Sequence, residues 1–136
     1  MSDVVLHASV FVAACSPTEL RHGAAWALLH AEPAEQPFLV PAIFRQEVLA
    51  AFARRGESAD LLDTLDALLQ GPRFCACALD EALLERAAAV ARAARLRAYD
   101  AVYVALALQR EAALLTLDAE LGARATAAFP ALILRT

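Results

Sequence analysis

The chain has 136 residues, 60% of them hydrophobic, and a formal net charge of −4. That length accommodates one domain with a sizeable core, and the acidic balance excludes a generally basic nucleic-acid binder. All twelve basic residues are arginine, so any contact with phosphate must come from local guanidinium groups.

No apolar run approaches the roughly 18 residues of a membrane span. The start carries Asp3 and no basic residue before Arg21, so no secretory leader is expected. Cys15, Cys75 and Cys77 make an odd count without a C-x-x-C pair, which reads as a reduced, cytoplasmic protein. Cys75 and Cys77 would share one face of a strand as packing residues.

In chain order, Val4 to Leu6 form an apolar run ending at His7, the predicted first strand. A second apolar stretch follows from Val10 to Cys15. Ser16-Pro17-Thr18-Glu19 then reads as a helix start, with Ser16 capping, Pro17 in the first helical position and Glu19 completing a capping box. This helix should run to about His30, before a loop marked by Pro33 and Pro37.

Phe38-Leu39-Val40 is a predicted strand, and Pro41 opens a helix ending at Gly56. The apolar stripe of that helix is Ile43, Phe44, Val48, Ala51 and Phe52, and Glu47 falls on it. A charge on a buried face is costly unless it is paired or holds a metal. The other reading places Glu47 at the edge of the stripe, snorkelling or paired with Arg54 or Arg55.

Ser58 caps a predicted helix from Ala59 to Gln70, stopped by Gly71-Pro72. Arg73 to Leu79 is strand-like, and Asp80 caps a helix from Glu81 to Arg95. A helix from Ala98 to Glu111, a strand from Ala113 to Leu117, a short helix from Ala119 to Thr126 and a strand from Leu132 to Leu134 complete the chain.

Short apolar strands separated by helices imply a parallel sheet covered on both faces. The C-terminal ends of such strands share one edge, where open α/β sheets bind ligands. His7 and Asp118 both follow strand ends, Asp100 opens a helix and Glu47 points inward, so these four can converge on one crevice. Taken alone, Asp118 also reads as a helix N-cap and Asp100 as a first-turn acid favoured by the helix dipole.

The segments VVLHASVFVAA, VPAIFRQEVLAAFARRG, LRAYDAVYVALA and LLTLDAEL resemble a PIN domain, most closely the VapC-type toxins of bacterial toxin–antitoxin pairs. The resemblance covers essentially the whole chain and implies a single PIN-like domain, a Rossmann-like three-layer α/β/α sandwich with a mainly parallel sheet of about five strands. It also implies RNA cleavage by clustered carboxylates with Mg²⁺ or Mn²⁺, a VapB-like antitoxin partner and a homodimer. On the matching positions, Glu47, Asp100 and Asp118 are the implied catalytic and metal-binding acids. Ser9 and Thr116 are the implied flanking hydroxyls.

His7 departs from the pattern, standing where the family carries its first aspartate. Asp3 lies near the other end of the strand and cannot replace it. Three carboxylates and an imidazole make a weaker Mg²⁺ site than four carboxylates, and suit Mn²⁺ better. Arg45, close before Glu47, and Arg97, just ahead of Asp100, are placed to meet phosphate. Two functions follow: a metal-dependent ribonuclease attenuated at His7, or a PIN-fold protein without cleavage that acts by binding RNA or a protein partner.

Overall fold

The structure, a computed structural model, describes residues 3–136. The elements run β1 (Val4–Leu6), α1 (Ala8–Ala14), α2 (His22–His30), β2 (Phe38–Pro41), α3 (Phe44–Arg54), α4 (Ala59–Leu69), β3 (Phe74–Cys77), α5 (Glu81–Ala94), α6 (Ala98–Gln109), β4 (Ala113–Leu115), α7 (Ala119–Ala128) and β5 (Ile133–Arg135). The strands form one five-stranded sheet in the order β3-β2-β1-β4-β5, every pair parallel. This is the three-layer α/β/α sandwich implied by the alternation of strands and helices.

The winding explains where the site lies. From β1 the chain steps outward to β2 and then β3, with α1 to α4 in the connections. It then crosses back to β4 and continues to β5, with α5, α6 and α7 in those connections. Right-handed crossovers put the two groups of helices on opposite faces. The direction reverses between β1 and β4, and the ends of those two strands open the crevice that such reversals leave.

Val4, Val5, Leu6, Leu114 and Leu115 are almost fully buried, as expected for strands covered on both faces. Helix α6 packs on β1, β2 and β4, and its residues from Ala101 to Ala107 are all buried. Ser58, Asp80 and Asp118 each accept a hydrogen bond from the backbone N–H three residues on, so these three predicted helix starts are real caps.

Other boundaries differ from the expectation. The stretch from Val10 lies in α1, which begins directly after His7. Ser16 caps no helix: its hydroxyl donates back to the Val12 carbonyl at 2.6 Å and accepts from the Arg55 guanidinium at 2.8 Å. The capping signature is local, whereas this side chain is claimed by the turn before it and by α3. Helix α2 therefore starts only at His22. Pro41 ends β2 opposite Cys77 instead of opening α3, and the next amide, Ala42, bonds the Cys77 carbonyl at 2.8 Å. Cys75 is exposed on the edge strand and not packed.

On the outer half of the sheet, Phe11, Phe44 and Phe74 form an aromatic triangle with centroids 5.4–5.9 Å apart. It ties α1 and β3 to α3, the helix that carries Glu47. Phe44 is 1% exposed. Phe44→Ala should lower stability by about 3–5 kcal/mol, measured by denaturant unfolding.

Candidate active site

At the reversal point, residues just past β1 and β4 meet the first turn of α6. The His7 backbone N–H bonds the Leu115 carbonyl at 2.9 Å, which extends the ladder by one step and fixes where the imidazole lies. The ring is 5% exposed. Its Nδ1 is 2.7 Å from Ser9 Oγ and 3.0 Å from Thr116 Oγ1, and its Nε2 is 3.2 Å from Asp100 Oδ1. The Tyr103 ring packs edge-on against it, with centroids 4.7 Å apart.

The two hydroxyls also pin the loop that carries Asp118. Leu117 N–H donates to Ser9 Oγ and Asp118 N–H to Thr116 Oγ1, each at 3.1 Å. Asp118 Oδ1 in turn accepts from Leu121 N–H at 3.0 Å. Both readings of Asp118 therefore hold: it caps α7, and it lies at the strand-end crevice. Asp100 sits in the first turn of α6 and is half-buried.

Glu47 belongs to the edge of its stripe, half-buried beside the buried Phe44 and Val48. Among the described residues it pairs with neither Arg54 nor Arg55; Arg55 bonds Ser16 and Glu19. Its Oε1 accepts from the Tyr103 hydroxyl at 2.6 Å. Burial pushes the Glu47 carboxyl above its ordinary range, while the Tyr103 hydrogen bond and the nearby His7 pull it down and Asp100 pushes it up. The Tyr103 phenol is itself raised far above its usual value, first by burial and then by Glu47. Nothing in the sequence marks Tyr103 for this role, because a tyrosine among apolar residues three positions after Asp100 looks like any other core residue.

A polar crevice is lined by Asp100 and Asp118 together with Arg95, Leu96, Arg97, Glu120, Leu121 and Arg124. Arg97 is thus beside the two aspartates as expected. Arg95 and Arg124 join it, although nothing in the local sequence singled them out. Arg124 bonds the Arg95 carbonyl at 2.8 Å and pairs with Glu120 at 2.7 Å. Arg45 is placed differently: its Nε and Nη2 donate to the two oxygens of Asp66 at 2.6 and 3.0 Å. That bidentate pair links α3 to α4 and takes Arg45 away from the crevice.

The donor set does not fit a divalent ion in this arrangement. Among the described residues, no group of three or more His, Cys, Asp and Glu side chains is placed to hold a metal. The reason is visible in the bonds. Asp100 faces His7, Glu47 faces Tyr103, and Asp118 faces its own helix N-terminus. Of these three acids only Asp100 and Asp118 line the crevice, and the third acid of its lining, Glu120, is paired with Arg124.

A three-layer sandwich with acids and arginines at the switch point of a parallel sheet defines an α/β protein with a polar crevice of mixed charge. The chain belongs to the PIN domain family, whose model matches residues 4–126. It is similar in structure to VapC20 of Mycobacterium tuberculosis, described as a sarcin–ricin-loop-cleaving toxin, with a TM-score of 0.75 at 17% identity, covering 89% of this chain and 94% of that one. It is similar to FitAcB of Neisseria gonorrhoeae, with a TM-score of 0.75 at 18% identity, covering 98% and 96%. A toxin–antitoxin complex from Klebsiella pneumoniae gives a TM-score of 0.69 at 18% identity, covering 99% and 97%. No curated protein matches the chain in sequence.

The Tyr103–Glu47 bond has a pH signature. The phenol O–H stabilises the ionised carboxylate more than the protonated acid. Tyr103→Phe should therefore cost about 1–2 kcal/mol at neutral pH. The cost should shrink as pH falls and Glu47 takes up a proton in both variants. Urea unfolding of the two proteins across the acid range measures the difference.

Proposed function

We propose that the chain is a VapC-like ribonuclease, the toxin of a toxin–antitoxin pair, with a hydrolytic centre attenuated by His7. The observation that supports it best is the crevice that joins Asp100 and Asp118 to Arg95, Arg97 and Arg124. Phosphate cannot approach an acidic pocket without neighbouring cations, and the guanidinium of Arg97 supplies one within the crevice lining. Arg groups hold phosphate oxygens in paired contacts and keep their charge at any physiological pH.

In this reading Arg97, with Arg95 beside it, binds the RNA backbone. Asp100 and Asp118 face the scissile phosphate, while Ser9 and Thr116 hold His7 and the Asp118 loop in place. Glu47, held by Tyr103, adds negative charge behind Asp100. The cofactor that this class implies is Mg²⁺ or Mn²⁺, which would polarise the phosphate and lower the pKa of water. The donors as arranged do not fit it, which accords with an attenuated centre. Partners in this reading are RNA, a VapB-like antitoxin and a second copy of the chain in the cytoplasm. Leu20 and Trp26, 98% and 44% exposed, are apolar surface that such protein partners would cover. Among the described residues no helix is long and apolar enough to cross a membrane.

A second reading is supported by one observation, the His7–Asp100 contact, which occupies the very carboxylate that cleavage would need. There the chain binds RNA or its antitoxin without cutting.

An end-labelled structured RNA tests the proposal at low salt. The protein should bind it and cut it slowly with Mn²⁺ present and not with a chelator. Asp118→Asn, which keeps the cap acceptor, should abolish cutting. Arg97→Ala should lessen the dependence of log affinity on log salt by about 0.7 for a single-stranded contact. RNA bound but never cut selects the second reading, and RNA neither bound nor cut overturns the proposal.

A further inference from the structure

We infer that His7 is a competitor for the cation position beside Asp100 and not one of its ligands. This rests on the reading of Asp100, Asp118 and Glu47 as the acids of a nuclease centre, and it goes beyond that reading by saying why the centre is weak and what would release it.

A neutral imidazole carries one N–H and one lone pair, and only the lone pair can bind a metal. Nε2 faces Asp100 Oδ1 at 3.2 Å, and Nδ1 faces the Ser9 and Thr116 hydroxyls at 2.7 and 3.0 Å. A hydroxyl can donate or accept, whereas a carboxylate only accepts. The hydrogen therefore belongs on Nε2, donated to Asp100, and Nδ1 accepts from Ser9. Ser9 Oγ is then free to accept from Leu117 N–H at 3.1 Å, so every group in the chain is satisfied. The opposite tautomer would point a bare lone pair at a carboxylate. In the doubly protonated ring both nitrogens carry hydrogen, and the conclusion is unchanged.

No lone pair of His7 thus points at an ion held by Asp100. The ring cannot easily turn to offer one. It is buried, braced edge-on by Tyr103 at 4.7 Å, and held on both sides by hydrogen bonds. Rotating it by half a turn would put carbon against Ser9 and against Asp100. A divalent ion taking Asp100 Oδ1 must displace the Nε2–H, and the displaced donor would be left buried without a partner, which is costly. The placement of the acids agrees: among the described residues no three such donors lie together, Asp100 included.

Calorimetric titration of the full chain with Mn²⁺, in the absence of RNA, tests this. The wild type should bind Mn²⁺ weakly or not measurably. His7→Asp should bind at least roughly tenfold more tightly, and adding Asp100→Asn should remove the gain. His7→Asn frees Asp100 without adding a carboxylate, so it should also bind more tightly than the wild type, though less so than His7→Asp. It keeps the test decisive if the aspartate variant fails to fold. Wild-type binding as tight as that of either variant, or a gain that survives Asp100→Asn, overturns the inference. Because no RNA is present, failure here is separate from failure to cleave.

Discussion

The reversal of winding between β1 and β4 is the constraint from which the site follows. Two parallel strands leave the sheet at the same edge, and the chain departs from them in opposite directions. Their ends therefore cannot be covered by their own connections, and the gap is closed by the first turn of α6. That helix is buried from Ala101 to Ala107, so its position is set by core packing and not by the polar groups at its start. Asp100 and Tyr103 are delivered to the strand ends by a hydrophobic interaction. His7, Ser9 and Thr116 then meet them at hydrogen-bond distance.

The polar groups at this edge form a continuous set. Tyr103 joins Glu47 to the ring of His7; His7 joins Asp100 to Ser9 and Thr116; the two hydroxyls join β1 and α1 to the loop before α7. Among the described residues no buried side-chain N or O lacks a partner. A half-buried acid is tolerable in this setting because each carboxylate has a donor from the chain itself. The same internal satisfaction accounts for the poor fit to a divalent ion. Carboxylates that bind cations tightly are held close together with mutual repulsion unrelieved, and here hydrogen bonds have already relieved it.

Much of the fold was legible because short apolar strands and capped helices leave local marks. Ser58, Asp80 and Asp118 read correctly as caps, since each bond spans only three residues. Ser16 carried the same mark, yet its hydroxyl is taken by Val12 and by Arg55, the latter 39 positions away. The pairing of Arg45 was hidden for a similar reason, because Asp66 lies 21 positions away on the next helix. The places of His7 and Asp118 just past strand ends, and of Asp100 at a helix start, were readable from the local pattern. The hold of Tyr103 on Glu47 was not, because a tyrosine on an apolar stripe looks the same whether or not its hydroxyl finds an acid. Arg95 enters the crevice through the left-handed turn that ends α5, at φ 56°, a conformation that an arginine rarely advertises.

Whether Asp100 is open to a cation turns on which nitrogen of His7 carries hydrogen. Nitrogen-15 NMR of the imidazole at mildly alkaline pH reads this directly. A protonated Nε2 that resists exchange, with an unprotonated Nδ1 and a marked change on Asp100→Asn, is the predicted result. A bare Nε2 with hydrogen on Nδ1 would contradict it, since His7 would then offer Asp100's neighbourhood a lone pair and could serve as a ligand after all.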